Sequence, residues 1–172
     1  MQEWIPARSG FFPGLLARFM RAVAKTDAPM AQTLAWYPRA LLGAGFFELF
    51  SARSRRFHRV LNLIRLSVSF TVSCPWCVQM NSASLKKNRI TEEELRFLNG
   101  SGPQPVSILA GEAIAIEYAR QVSCTPVQVS ADVAENMKAN YSEKEMVMIS
   151  WTAAQVNFFS RLFQSWMIGT SK

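Results

Sequence analysis

Two cysteines with two residues between them, in Ser73-Cys74-Pro75-Trp76-Cys77-Val78-Gln79-Met80-Asn81, are the part of this chain whose spacing best suits chemistry. Proline is favoured at the first position of a helix, where its missing N–H costs nothing, so Cys74 falls beside a helix N-terminus and Cys77 lies one turn further on. Residues three apart share a helix face, which makes a Cys74–Cys77 disulfide sterically accessible. Unpaired backbone N–H groups in a first helical turn stabilise a thiolate. The thiolate is the nucleophile toward a peroxide oxygen and in exchange with a dithiol donor. The spacing predicts a redox dithiol.

Other readings of the pair compete. Two inert buried cysteines are the main one, because free cysteine packs as a small hydrophobe. A structural zinc site needs four ligands, and only Cys124 and the single His58 remain to complete it. A thioredoxin-type motif follows a βαβ pattern, which this sequence lacks. Cys124, in a turn before Pro126, is assigned no role.

The elements that must position the pair read as helices. From Ser54 to Thr71, Val60, Leu61, Leu63, Ile64, Leu66 and Val68 recur among Arg56, Arg59 and Arg65, a helical pattern, although the alternation from Ser67 to Val72 also suits a strand. Upstream, Leu15, Leu16, Phe19, Met20 and Val23 predict an amphipathic helix over Pro13 to Lys25 that packs on the core or on another subunit. Pro29 opens a second apolar stretch through Leu34, Trp36, Leu41 and Leu42, which Pro38 and Gly43-Ala44-Gly45 are expected to kink or break. Downstream, Thr91 with Glu94 makes a capping box and Gly100 a stop, and Gly102-Pro103-Gln104-Pro105 is a loop. Ile108, Leu109, Ala113, Ile116 and Ala119 mark the next helix, and Ser130 caps another. Ser142 with Glu145 opens a long run to near Gly169, apolar on so much of its circumference that it belongs at the centre of the fold or at a subunit interface. There is no internal repeat, low-complexity tract or Gly-rich phosphate loop. The expected fold class is all-α, a compact multi-helix bundle in a single domain over residues 1–172.

Composition agrees. With 172 residues, 49% hydrophobic and 18% charged, the chain can bury one substantial core. No apolar stretch reaches the roughly 20 residues of a membrane span. Pro13 and Arg18 interrupt what would be a signal peptide's apolar core. Three cysteines, an odd number, argue for a reducing compartment, so the cytoplasm is expected. The net charge of +7 attracts polyanions without naming one. The basic face of Arg53 to Arg65 is expected to be solvated or paired between subunits, with an anionic ligand or acidic partner second. Nucleic-acid binding is not expected, since no aromatic-interleaved basic motif is present. No metal or organic cofactor is called for.

The block Asn62-Leu63-Ile64-Arg65-Leu66-Ser67-Val68 ahead of the cysteine pair, then Thr91-Glu92-Glu93-Glu94-Leu95, then Tyr141-Ser142-Glu143-Lys144-Glu145-Met146-Val147 through Asn157 and Arg161, resembles the alkylhydroperoxidase D-like branch of the carboxymuconolactone decarboxylase superfamily. The likeness covers about residues 45–165 and leaves 1–44 as a helical N-terminal extension. It implies an all-α AhpD-like bundle assembled as a trimer or hexamer. It also implies Cys77 as the peroxidatic cysteine, Cys74 as the resolving one, and a hydroperoxide and a thiol/disulfide donor protein as partners.

Two departures bear on activity. The family's histidine position is Asn81, and its glutamate, twelve residues before the first cysteine, is Asn62. An amide can orient a water but cannot take a proton near neutral pH. A positioned base is worth about 10²–10⁴-fold, so a weakened peroxidase is expected. His58, four residues before Asn62 and hence on about the same helix face, is a candidate substitute, although beside Arg55, Arg56 and Arg59 it also reads as simply solvated. The alternative is a catalytically silent oligomeric binding or scaffold protein on the same fold. Lactone or decarboxylation chemistry ranks third, for want of titratable groups. Trp76 and Met80 are expected to fill core rather than line a pocket.

Overall fold

The computed structural model describes residues 33–82, 85 and 90–166, so the readings made for Pro13 to Lys25 and for Gly169 lie outside them. The chain divides into two compact units, one of which is Ser51–Arg161; the described residues 33–50 and 162–166 belong to the other. Every regular element among the described residues is an α-helix.

In chain order these are α1 Pro38–Leu49, α2 His58–Thr71, α3 Pro75–Ser82, α4 Glu92–Leu98, α5 Ala110–Ser123, α6 Ala131–Asn140 and α7 Glu143–Gln164. Pro38 starts α1 at its first turn, as its missing N–H favours. Gly43 and Gly45, by contrast, do not break the helix. A Cβ at either position would meet nothing within 4 Å, so these glycines lower helix propensity without a steric reason to stop the chain. The stretch from Ser54 is helical only from His58, because the Ser54 hydroxyl accepts the Phe57 N–H and closes a turn first. From Ser67 onward the helix wins over the strand, its pattern set by burial against two sides.

That double burial makes α2 the central helix of Ser51–Arg161. Ile64 and Val68 join Ala115 and Ala119 of α5, Met137 of α6 and Ile149, Ala153 and Val156 of α7 in one core cluster. Leu63 and Leu66 join Leu98 of α4 with Ile108 and Ile116 in a second. Seating a fully buried Leu or Ile stabilises by about 1.5–3 kcal/mol, so these two faces hold α2 in its rotational setting.

Polar ties fix the surrounding helices. Thr91 and Glu94 form the expected capping box of α4, and Gly100, at φ 73°, follows its C-cap. Ser130 caps α6 through the Val133 N–H. At the start of α7 the Ser142 N–H and hydroxyl both donate to one Glu145 carboxylate oxygen, at 3.0 and 2.8 Å. Described α7 ends at Gln164. Arg59 departs from the expected solvated basic face: its Nη2 meets Glu94 at 2.7 Å and its Nε meets Glu112 at 2.9 Å. Each of those carboxylates also accepts the N-cap N–H of its own helix, from Thr91 and Leu109. One guanidinium thereby ties α2 to the starts of α4 and α5.

No helix among the described residues is long and apolar enough to cross a membrane.

Candidate functional site

The cysteine pair sits where one helix ends and the next begins. Val72 is the C-cap of α2, and Ser73 follows in the left-handed region, at φ 51°. The Ser73 N–H donates to the Phe70 carbonyl and the Cys74 N–H to the Ser69 carbonyl, the double bond pattern of a Schellman stop. Serine is an uncommon choice at that position, where glycine bears no Cβ penalty. The chain reverses into Cys74, and Pro75 immediately starts α3, as its place after Cys74 predicts.

Cys74 and Cys77 lie at disulfide distance, their Cα atoms 5.2 Å apart. Both side chains are buried, at 1% and 3% exposure, so solvent does not bathe either sulfur. The two sulfurs have different hydrogen-bond donors. Cys74 Sγ accepts the Cys77 backbone N–H at 3.3 Å, so this helix-start amide serves Cys74. Cys77 Sγ lies 3.1 Å from the hydroxyl of Ser160 on α7. A disulfide sulfur carries no proton, so in the oxidised pair Ser160 is the donor.

Asn81, at the expected histidine position, donates from Nδ2 to the Ser69 hydroxyl at 3.0 Å and to the Cys77 carbonyl at 2.8 Å. Ser69 in turn donates to the Arg65 carbonyl at 2.7 Å. Ser69 therefore anchors both ends of the α3 turn, Cys74 through its carbonyl and Asn81 through its hydroxyl. Asn62, at the expected glutamate position, turns the other way along α2, to the His58 carbonyl at 2.9 Å and the His58 ring. The structure thus brings Cys74, Cys77 and Asn81 together and pairs Asn62 with an exposed His58.

Sequence reasoning missed Ser160, Ser69 and a polar link beside them. Arg65 Nη2 donates to Gln155 Oε1 at 3.2 Å, and the Gln155 Nε2 donates to the Ser51 hydroxyl at 2.7 Å. Gln155 and Ser160 are both buried on α7. Their signal was polar residues within a largely apolar run, at positions that helical spacing turns inward. Trp76 and Met80 are half-buried. Cys124 is exposed and free, its thiol donating to the Arg120 carbonyl at 3.4 Å.

The class these features define is an all-α, AhpD-like fold with a Cys-x-x-Cys pair at a helix N-terminus. No protein-family model matches the sequence, and no curated protein matches it either. Solved structures do. A protein of unknown function from Agrobacterium tumefaciens, named for antioxidant defence as an AhpD, aligns at TM-score 0.67 and 20% identity over 81% of this chain and 95% of its own. The debrominase Bmp8, as a cysteine-to-alanine variant with 2,3,4-tribromopyrrole, aligns at TM-score 0.75 and 14% identity over 99% of this chain and 94% of its own. Its apo form gives TM-score 0.74. At these identities the likeness establishes the fold.

Proposed function

We propose that this protein is a thiol-dependent oxidoreductase that reduces a hydroperoxide, or exchanges disulfides with a donor protein, through Cys74 and Cys77. The observation that carries the reading is the pair itself, two buried sulfurs at disulfide distance across the first turn of α3. In the peroxidase form, the Cys77 thiolate attacks the distal peroxide oxygen, the O–O bond breaks, and the leaving alkoxide takes a proton from solvent to depart as an alcohol. Cys77 is left as a sulfenic acid. The Cys74 thiolate then attacks that sulfur, forming the disulfide and releasing water once the departing hydroxide is protonated. An external dithiol supplies the two electrons that restore both thiols. With amides at positions 62 and 81, no titratable side chain stands at either relay position, so turnover is slow for the fold. A cytoplasmic setting and a homo-oligomer belong to the same reading, and the exposed Leu42, Phe46 and Leu49 of α1 support the second.

Stopped-flow mixing of reduced protein with hydrogen peroxide and an organic hydroperoxide, with free thiols counted before and after, tests it. Loss of two thiols that requires Cys77, abolished in Cys77→Ser, is the expected result. Two thiols that stay unreactive in folded protein would sink it. The second reading, a silent oligomeric binding protein, draws on Asn62 and Asn81, whose amides make structural hydrogen bonds. A brominated pyrrole belongs in the same screen, because that is the ligand class of one structural neighbour.

A further inference from the structure

Serine and threonine inside a helix ordinarily turn their hydroxyl back to the carbonyl four residues earlier. In this protein Ser69, Thr71, Ser123, Ser150 and Thr152 all do so, at 2.6 to 2.9 Å. Two buried helical serines do not: the Ser67 hydroxyl has no partner among the described residues, and Ser160 has one outside its own helix. Ser160 is fully buried on α7, and the partner of its hydroxyl is the sulfur of Cys77, 83 residues away in the chain. A hydroxyl taken from its own helix and aimed at a redox sulfur is placed for that sulfur.

We propose that Ser160 is a catalytic residue of the dithiol, the hydroxyl that holds the Cys77 thiolate once the disulfide is reduced. The inference rests on the redox reading of the pair. Three features carry it. The Cys77 N–H at the helix start goes to Cys74 Sγ and not to the sulfur of Cys77 itself. The Asn81 side-chain amide nitrogen donates to Ser69 and to the Cys77 carbonyl. Among the described residues, the Ser160 hydroxyl has no other acceptor for its proton.

In the oxidised protein the hydroxyl donates to an uncharged disulfide sulfur. On reduction by an external dithiol the S–S bond breaks, two electrons enter, and Cys77 leaves as a thiolate. The same hydroxyl then makes a charge-assisted bond, roughly twice as strong as a neutral one. It stays protonated throughout. When Cys77 ionises from the thiol, the proton goes to solvent, and the Ser160 hydroxyl favours that ionisation without accepting the proton. Ser160 thus does by hydrogen bonding part of what a titratable relay does by proton transfer, and the amides at 62 and 81 leave it that task.

The test is made on Cys74→Ser/Cys124→Ser protein, in which Cys77 is the single thiol. Serine at position 74 keeps an acceptor at the helix start. The pH midpoint of the thiolate absorbance near 240 nm is read with Ser160 present and with Ser160→Ala, circular dichroism confirming the fold. Ser160→Ala is expected to raise the midpoint by about one pH unit, from the usual strength of a hydrogen bond to a charged group. Tenfold less thiolate at neutral pH, partly offset by its greater intrinsic nucleophilicity, then slows alkylation about threefold. An unmoved midpoint overturns the proposal. Ser160→Thr and Ser160→Val form a second pair of nearly equal volume: threonine is expected to hold the midpoint and valine to raise it, and equal shifts in both would overturn the hydroxyl's role in favour of packing. No peroxide enters these titrations. A hydroxyl-dependent midpoint in a protein inert to peroxide supports this inference and overturns the peroxidase reading, so the two failures are told apart.

Discussion

Arg59 reaches from α2 to Glu94 at the start of α4, Nη2 to carboxylate in 2.7 Å, while its Nε holds Glu112 of α5. Both carboxylates are buried, and the guanidinium is about a third exposed. Removing the cation leaves two buried anions facing each other across the vacated space. Breaking such a pair from one side costs about 3–5 kcal/mol when fully buried, and solvent access to Arg59 reduces that. Arg59→Met is therefore expected to lose about 2–4 kcal/mol, read as a fall in denaturation midpoint at unchanged m-value. A loss under about 0.5 kcal/mol would show the pair to be ornamental.

Glu94 links the same cluster to pH. Burial pushes its carboxyl up, but hydrogen bonds from Arg59, Ser107 and the Thr91 N–H, with the Arg59 charge, outweigh burial and leave it below the ordinary value. A depressed folded-state value stabilises the fold fully above the unfolded carboxyl's ordinary range, near pH 4.3, and that stability is lost as pH falls toward the folded value. Unfolding free energy measured from pH 7 to pH 3 should fall more steeply for the parent protein than for Glu94→Gln. Parallel curves would exclude Glu94 as a contributor.

Tyr141 acts at the opposite end of the pH scale. Its phenol is pushed up to about 12, chiefly by burial and then by the charges of Glu112 and Glu145, and it donates to the Gly111 carbonyl at 2.7 Å. The folded state keeps a proton that the unfolded chain releases near pH 10, so this contribution is complete below that pH and is lost as pH rises toward 12. Absorbance at 295 nm should show a tyrosine component titrating near 12 that Tyr141→Phe removes. The same substitution should cost about 1 kcal/mol for the lost hydrogen bond.

Asn81 is predicted to act as a lock on the dithiol helix. Asn81→Ala removes donors to Ser69 and to the Cys77 carbonyl, at an expected cost of about 1–2 kcal/mol. Amide hydrogen exchange should quicken in residues 74–82 while the buried centre of α2 keeps its protection. Unchanged exchange in α3 would remove Asn81 from that role.

The helices themselves were legible, because their signals are local. Pro75 after Cys74, Thr91 with Glu94 and Ser130 act within four residues, and the chain obeys them. Gly43 and Gly45 misled because propensity is a weak prior that a continuous helix overrides. Arg59 misled because an arginine in a basic run looks solvated until its acids arrive from residues 94 and 112, 35 and 53 positions away.

The sequence by itself determined that this protein is a helical chain with a cysteine pair at a helix start and amides where a relay is expected, since each of these is a matter of residue type and short spacing. Which donor meets which sulfur was decided only by the tertiary structure. Ser160 lies 83 residues from Cys77, and Gln155 lies 104 from Ser51. Hydrogen bonds at such separations have no periodicity to announce them. They exist because the apolar faces of α2 and α7 pack in one register, and that packing carries the few buried polar groups to their partners.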